Sequence, residues 1–285
     1  MRWIVLAALL SGCVQSQSGE DPSSWYDTGS DINVTESLQF TDQNYAFPAN
    51  DADGIGHLKD HLFPVPAGSP GSDQVAWGAQ DDVDGTPFCQ RTVSPDLPFD
   101  VDGVVTIFPR YYFKTSGCNW DSAEKYYGSF FIQDRTGGVF MLGDTKVAHF
   151  YAGDHVHLRI RAAKTSFGLN MVYAWDDAEI VERGVPIYYQ VPTESFGAMA
   201  ASGDNPIGRV WRVTGTVVNE ADTFGAFQVE TDDGTRYDVS LDVELTRRGV
   251  RYAPGTRLTV TAPMLYSFSI YSMIVMQKGQ VAVED

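Results

Sequence analysis

The stretch Gly128-Ser-Phe-Phe-Ile-Gln-Asp134, followed by the turn Arg135-Thr-Gly-Gly138, decides the fold because it occurs twice. Its second copy is Gly225-Ala-Phe-Gln-Val-Glu-Thr231. In both copies apolar side chains recur at every second position, which is the pattern of a β-strand with one buried face. The polar, glycine-containing residues behind each copy are typical of a turn between two strands. We therefore interpret the stretch as one hairpin that is present twice.

The repeat extends on both sides of this hairpin. Upstream, Val101-Asp-Gly-Val-Val-Thr106 matches Val213-Thr-Gly-Thr-Val-Val218. Downstream, the segment 152–161 matches the segment 254–261, and an apolar, aromatic pair of segments closes each copy. Because order and spacing are both kept, the pattern indicates a duplicated domain. Five strands with hairpin turns in about 80 residues predict a small closed barrel.

These segments resemble the OB-fold domains of bacterial secreted nucleases and envelope proteins. The resemblance is carried by Val101, Gly103, Val105, Gly128, Phe130 to Asp134, Gly137, Gly138, Gly153, Asp154, Val156 and Leu158. The second copy lacks the Gln-Asp pair and the Gly-Gly pair of the first. The resemblance implies an all-β protein with two tandem five-stranded OB-like barrels. It leaves the function open, because this barrel is used for oligonucleotides, oligosaccharides and protein docking.

The sequence divides into a leader (1–12), an acidic, loop-rich segment (13–99), a first barrel (100–184), a linker (185–205) and a second barrel (206–285). The formal net charge is −17, and residues 14–99 hold fourteen acidic against two basic side chains. A field of this sign repels polyanions, so nucleic acid is an unfavourable partner.

The N-terminus resembles the lipobox of bacterial lipoproteins, on the residues Leu10-Ser11-Gly12-Cys13 after a short apolar run. That run is too short to span a bilayer as a helix. The resemblance implies that residues 1–12 are removed and that the Cys13 thiol carries lipid, with acyl chains of the palmitate type. Val14 after the cysteine favours the outer membrane. The alternative is a buried N-terminal strand with an incidental cysteine.

The other two cysteines, Cys89 and Cys118, predict a disulfide if the chain lies in an oxidising envelope compartment. In the chain-entropy model, a disulfide that closes the loop between these two cysteines stabilises the fold by roughly 3–4 kcal/mol. Two independent buried thiols are the alternative.

The outer face of the first barrel is the candidate ligand face. If Phe130 and Ile132 fill the core, then Tyr127, Phe131 and Gln133 point outward, with Trp120 in the neighbouring loop. Exposed aromatic rings there could stack on a sugar or a base. Docking of the second barrel or of the N-terminal segment would use the same residues, and we favour that interpretation.

Metal candidates are weak. His155 and His157 share one face of a strand, but Arg159 and Arg161 continue that face and would repel a cation, so we expect solvated strand residues. Asp51 and Asp53 resemble the start of a calcium loop whose first ligand position holds Ala49. No cofactor is expected.

No nucleophile elbow, zinc-protease helix or phosphate-binding glycine loop is visible in the sequence. We therefore expect a non-catalytic envelope lipoprotein that binds a ligand or assembles with an envelope protein or glycan. The alternative is an envelope enzyme or enzyme subunit with a metal or carbohydrate site between the barrels.

Overall fold

The structure is a computed structural model, and it describes residues 38–43, 54–63, 76–78, 99–107, 110–115, 124–144, 150–166, 169–267 and 269–284. The first half contains β1 (Phe40–Thr41), α1 (Gly54–Leu62), β2 (Ala76–Gly78), β3 (Phe99–Val105), β4 (Arg110–Thr115), β5 (Glu124–Gln133), β6 (Gly138–Asp144), β7 (His155–Ser166) and β8 (Leu169–Glu182). The second half contains β9 (Ile187–Tyr188), α2 (Phe196–Ser202), β10 (Val210–Val217), β11 (Ala226–Glu230), β12 (Arg236–Leu241), α3 (Val243–Arg247), β13 (Arg257–Ser267), β14 (Ile270–Val275), a 3-10 turn (Lys278–Gln280) and β15 (Val281–Val283).

The second barrel is a closed ring of five strands. Strand β10 pairs with β11, β11 with β12, β12 with β14, β14 with β13, and β13 returns to β10. Alternate side chains of these strands, including Val213, Phe227 and Val229, fill its interior. This order confirms the predicted all-β, OB-like architecture.

The first repeat has the same five pairings, running from β3 through β5, β6, β8 and β7 back to β3. Its β7–β8 pairing is interrupted by several shifts of register. Two further strands extend the sheet, because β4 pairs with β5 and β2 pairs with β7.

Hairpin connections would make every pairing antiparallel, but one pairing of each repeat is parallel. Strands β6 and β8 are parallel, and so are β12 and β14. The reason is topological, since directions cannot alternate all the way around a ring with an odd number of strands.

The two repeats agree in register. Val105 lies opposite Ile132 in the first repeat, and Val217 lies opposite Val229 in the second. The corner hydrogen bonds also correspond, because the Gly153 amide donates to the Val105 carbonyl (2.8 Å) and the Gly255 amide to the Val217 carbonyl (2.9 Å). The duplication read from the sequence is therefore a duplication of backbone geometry.

The two barrels share a hydrophobic core and are not joined by the linker alone. The cluster centred on the first barrel includes Ile55 and Leu58 of α1 and also Leu265, Ile274 and Met276 of the second barrel. Burying one side chain of this size contributes roughly 1.5–3 kcal/mol. Separating the barrels would therefore expose a substantial apolar surface.

The linker is itself fixed between its neighbours. The Ile187 amide donates to the Gln39 carbonyl (2.7 Å) in the parallel β1–β9 pair, and the Arg212 amide donates to the Gln190 carbonyl (2.7 Å). Residues 38–41 thus strap the linker, and the linker pairs with the start of β10.

The backbones of the two repeats meet at Gly138, the first residue of β6, and Gly208, just before β10. A Cβ atom on Gly138 would lie 2.1 Å from the Gly208 carbonyl oxygen, and one on Gly208 would lie 2.2 Å from the Gly138 carbonyl carbon. Gly208 also has a φ of +81°, which side-chain-bearing residues rarely adopt. Only glycine fits at both positions.

We predict that Gly138→Ala lowers the free energy of unfolding by about 1–3 kcal/mol or more. The new Cβ would meet backbone atoms, which cannot move aside as a flexible side chain can. Gly197→Ala is the matched control: no atom lies within 4 Å of its Cβ position in α2, and alanine in a helix is favoured over glycine by roughly 0.5–1 kcal/mol. Urea denaturation followed by tryptophan fluorescence measures both. Equal stability of Gly138→Ala and wild type would contradict the close approach.

Candidate functional site

The predicted ligand face of the first barrel is buried. Phe131 and Gln133 are 1% and 6% exposed, so the prediction that they point out to a ligand is wrong. They do lie on the strand face opposite the buried Phe130 and Ile132, as the alternation requires. Phe131 packs edge-to-face on Phe140 (5.1 Å between ring centroids), within the cluster that continues into the second barrel. The interpretation favoured from the sequence is docking of the second barrel or of the N-terminal segment on this face, and the hydrogen bond from the Val210 amide to Gln133 is a contact of that kind.

Gln133 bonds the first barrel to the linker and to the second barrel. Its Oε1 accepts from the Val210 amide at 2.6 Å, and its Nε2 donates to the Tyr188 carbonyl at 2.9 Å. The oxygen and the nitrogen of the side-chain amide therefore both form hydrogen bonds to groups outside the first barrel.

Asp134 and Thr136 hold the N-terminus of α1. The Ile55 amide donates to Asp134 Oδ2 (2.7 Å), and the Gly56 amide donates to Thr136 Oγ1 (2.8 Å). The second carboxylate oxygen, Asp134 Oδ1, accepts from the amides of Thr136 and Gly137 and so shapes the turn. Free amides at a helix start require acceptors, and this turn supplies two of them.

Lys59 is a buried cation at the same place. Its Nζ donates to the Ile207 carbonyl at 2.9 Å, and the residue is 6% exposed. Burial, with a smaller effect from the Arg209 guanidinium, lowers the pKa of Lys59 from 10.5 to about 7. Arg209 itself pairs with Asp204 (3.0 Å) and donates to the Thr136 carbonyl (3.3 Å).

These contacts form one unit, which we call the joint: residues 133–138, residues 55–59 of α1, and residues 207–210. It links the acidic segment to both barrels through hydrogen bonds and backbone contact. The joint positions the segments that it connects, and within it the Thr136 hydroxyl also donates to Asp134 Oδ1 (2.7 Å).

The weak metal candidates His155 and His157 are placed around a carboxylate that the sequence did not single out. Asp102 on β3 accepts hydrogen bonds through Oδ1 from His155 Nε2 (3.2 Å) and through Oδ2 from His157 Nδ1 (3.3 Å). His155 is 1% exposed, so the expectation of two solvated histidines is wrong for that residue, because the β3–β7 pairing and Asp102 cover it. Within the described ranges, no group of three or more His, Cys, Asp or Glu is arranged to hold a metal ion.

The face of the second barrel that corresponds to the Phe131 and Gln133 face of the first barrel is polar. Gln228 Nε2 donates to Asp238 Oδ1 (2.9 Å) between β11 and β12, and Arg236 pairs with Glu230 (2.6 Å). Glu230 and Thr231 stand where the first repeat has Gln133 and Asp134. Arg236 and Glu230 neutralise each other, whereas Asp238 bonds to the neutral Gln228 and keeps its negative charge.

Several predicted site residues lie outside the described residues. They are Cys13, Cys89, Cys118, Trp120, Asp51 and Asp53. Tyr127 lies on β5, at the register position opposite Asp144. None of the described helices is long and apolar enough to cross a membrane.

Sequence reasoning missed Lys59, Asp102 and Gly208. A lysine at a buried position of an amphipathic helix is a usable signal for Lys59. Asp102 follows the alternating pattern of β3, and β3 pairs with the strand that carries the two histidines. This position is a usable sequence signal for Asp102. Nothing in the local sequence marks Gly208, because its role depends on the approach of Gly138.

No family model matches the chain, and no curated protein matches it. Among solved structures, the HIN2 domain of tetrameric p202 resembles it with a TM-score of 0.31 and 9% identity, covering 66% of this chain and 92% of that one. The second OB-fold domain of replication protein A from Methanococcus maripaludis has a TM-score of 0.24 and 16% identity, covering 32% and 90%. The OB domain of Ta0387 from Thermoplasma acidophilum has a TM-score of 0.25 and 21% identity, covering 33% and 85%. The fold assignment rests on the strand order and register described above.

We predict that Gln133→Ala lowers the free energy of unfolding by about 1–3 kcal/mol, since it leaves the buried Val210 amide without its acceptor. Glu230→Ala, at the equivalent position of the second repeat, removes only an exposed ion pair and should change stability by less than about 1 kcal/mol. Denaturation with urea distinguishes the two variants. Equal effects would show that Gln133 does not contribute to docking.

We also predict that Lys59 gives stability a distinctive pH dependence. Between about pH 7 and 10.5 the unfolded chain binds a proton at this lysine that the folded chain does not, so the free energy of unfolding rises with pH across that window. Below pH 7 both states are protonated and this slope disappears. Lys59→Met should remove the rise, whereas Lys278→Met, at an exposed position, should keep it. Urea midpoints at pH 7, 8 and 9 provide the comparison, and an unchanged slope in Lys59→Met would refute the assignment.

Proposed function

We propose that this chain is a lipid-anchored protein of the bacterial envelope, and that its two OB-like barrels act as one non-catalytic module for assembly with another envelope component. The observation that carries this proposal is the joint. Gln133 spans three segments with two hydrogen bonds, and Gly138 meets Gly208 backbone to backbone. A pair of barrels fixed in this way presents a defined outer surface to a partner.

The burial of the first barrel's β5–β6 face supports a protein or glycan partner over nucleic acid. OB-folds bind oligonucleotides on the face of their second and third strands. In the first barrel this face holds Phe131 and Phe140, which are 1% and 6% exposed. In the second barrel it holds the Gln228–Asp238 and Glu230–Arg236 pairs, which leave no unbalanced positive charge for phosphates.

Charge supports the same choice. The whole chain has a formal net charge of −17, which opposes association with a polyanion. The HINa domain of Ifi202 has been solved in complex with double-stranded DNA, with a TM-score of 0.29 to this chain. A likeness at that level transfers no ligand.

The anchor follows from the lipobox resemblance at Leu10–Cys13. Lipid on Cys13 would hold the chain at the membrane through a tether of polar residues, and Val14 after the cysteine favours the outer membrane. The enzyme alternative would place a metal or carbohydrate site between the barrels. The described contacts there are apolar packing, hydrogen bonds and the approach of two glycines, which favours a joint over a pocket.

The test is to express the full chain in a bacterium with two membranes and to feed it an alkyne-labelled fatty acid. Wild type should be labelled and should sediment with membranes, Cys13→Ser should lose both properties, and the matched control Cys118→Ser should keep the label. In vivo cross-linking from exposed positions such as Val191 and Val283 should then give envelope proteins that are absent from the Cys13→Ser sample. Anisotropy with labelled single-stranded oligonucleotides should show no binding.

Three results would overturn this proposal. A mature N-terminus other than Cys13 removes the anchor. Salt-dependent oligonucleotide binding replaces assembly with nucleic-acid recognition. Cross-links that are identical in the anchored and unanchored proteins remove the envelope partner.

A further inference from the structure

Arg212 is held in one position on the outer face of the second barrel. Its guanidinium carbon lies 3.6 Å from the centre of the Tyr189 ring and 5.9 Å from the centre of the Phe40 ring. Its Nε donates a hydrogen bond to Thr261 Oγ1 (2.9 Å). The face of an aromatic ring attracts a guanidinium, and the bond to β13 fixes the direction of the planar group. The linker, residues 38–41 and β13 therefore orient this arginine together.

The terminal nitrogens of Arg212, Nη1 and Nη2, remain for another molecule to bind. In the part of the chain that the structure describes, the bond through Nε is the one hydrogen bond of this guanidinium, and no carboxylate pairs with it. Two other arginines of the same barrel are paired, Arg236 with Glu230 and Arg257 with Asp232. The chain has 37 acidic side chains for 20 basic ones. An arginine without a carboxylate partner is therefore the exception to explain.

Glu284, an acidic side chain near this face, is engaged elsewhere. Glu284 Oε1 accepts from Thr259 Oγ1 (2.7 Å), which lies 2.6 Å from Thr214 Oγ1. Arg212 lies opposite Thr261 in the register of β10 and β13, and Thr214 lies opposite Thr259. Side chains two positions apart on a strand share a face, so the threonine hydroxyls hold Glu284 on the same face as the arginine but away from it.

The remaining donors of Arg212 fit a carboxylate. A guanidinium offers its N–H groups in parallel pairs, and a carboxylate accepts both bonds of such a pair. Because Nε is engaged with Thr261, the pair formed by Nη1 and Nη2 is left. A group with one negative charge is favoured over a polyanion, since the net charge of −17 repels a ligand that carries many charges. The chemistry that fits is therefore a single carboxylate.

We propose that Arg212 and Tyr189 form the charged centre of an interface with an envelope protein, which places the carboxylate of an aspartate or glutamate against Nη1 and Nη2. This inference rests on the proposed function and names the chemistry of one contact within it. Arginine and tyrosine are enriched among the residues that dominate the binding free energy of protein interfaces. Val191, two residues after Tyr189, is 64% exposed and adds apolar surface of the kind that a protein partner covers.

The test is photo-cross-linking in the full, lipid-anchored chain, from a photoreactive amino acid at Val191. Mass spectrometry of the cross-link identifies the partner and the acidic residues next to the linked peptide. Arg212→Gln should lower the yield of this cross-link roughly tenfold or more, because the carboxylate of the partner loses its ion pair on binding. The matched control is Arg236→Gln, which removes an arginine already paired with Glu230 and should leave the yield unchanged. Urea denaturation verifies that both variants are folded.

A charge exchange separates a direct ion pair from a purely structural role of Arg212. Arg212→Glu should abolish the cross-link, and replacing the acidic residue of the partner with arginine should restore it. The inference is overturned if Arg212→Gln keeps the wild-type yield, or if no acidic residue of the partner restores the cross-link of Arg212→Glu. In both cases the proposed function stands, because the wild type still captures its partner. If the anchored wild type captures no envelope protein, the inference and the proposed function are both overturned.

A free organic acid is the other source of a carboxylate, and benzoate is the probe for it. The purified full chain is titrated with benzoate while the ¹⁵N resonance of Arg212 Nε is followed by nuclear magnetic resonance. We expect no saturation at micromolar concentration, because a lone small acid lacks the surrounding interface. Saturation in that range, lost in Arg212→Gln, would assign the site to a small molecule and overturn the inference.

Discussion

The approach of Gly138 to Gly208 is the constraint on which the arrangement of this protein depends. At this point the backbones are so close that neither residue can carry a side chain. The neighbouring hydrogen bonds and apolar contacts depend on that proximity. Gln133 can reach both the Val210 amide and the Tyr188 carbonyl because β10 begins beside the hairpin, and Lys59 can reach the Ile207 carbonyl for the same reason. The apolar residues Leu265, Ile274 and Met276 then complete a core that spans both barrels.

Buried polar groups at such a place make the contact specific. A buried amide or lysine that loses its partner is penalised by more than the bond itself contributes. The docked arrangement satisfies Gln133, Asp134 and Lys59 together, through partners on α1, on the linker at Tyr188 and on residues 207–210. A shifted arrangement would leave several of them unsatisfied. Apolar packing gives the joint its strength, and these groups select one geometry from the many that apolar packing alone would allow.

The sequence was sufficient to predict the all-β fold class and the duplication, but not the full strand pairing or the site. Period-two patterns around Phe130 and Phe227, repeated in order, predicted two barrels because strand alternation is a local property. The parallel pair in each ring and the burial of Phe131 are not local. They depend on how a five-strand ring closes and on where the second barrel docks. The Gln-Asp-x-x-Gly-Gly hairpin was recognised by resemblance, but its purpose emerged only from its partners, Val210, Ile55 and Gly208. A single sequence gives no distances between such segments.

The two barrels meet through different surfaces, and this bears on how many barrels can be joined. In a head-to-tail contact, one surface of a unit binds a different surface of the next unit. If every unit carried both surfaces, such contacts would build an open-ended array. Here the second unit carries Glu230 and Thr231 at its hairpin, and paired charges across β11 and β12, where the first unit carries Gln133, Asp134 and Phe131. Arrays of repeats stay soluble when the last unit has a polar outer face. The second hairpin therefore lacks the side chains with which the first hairpin bonds its neighbour, and its charged face disfavours a repeat of the same contact.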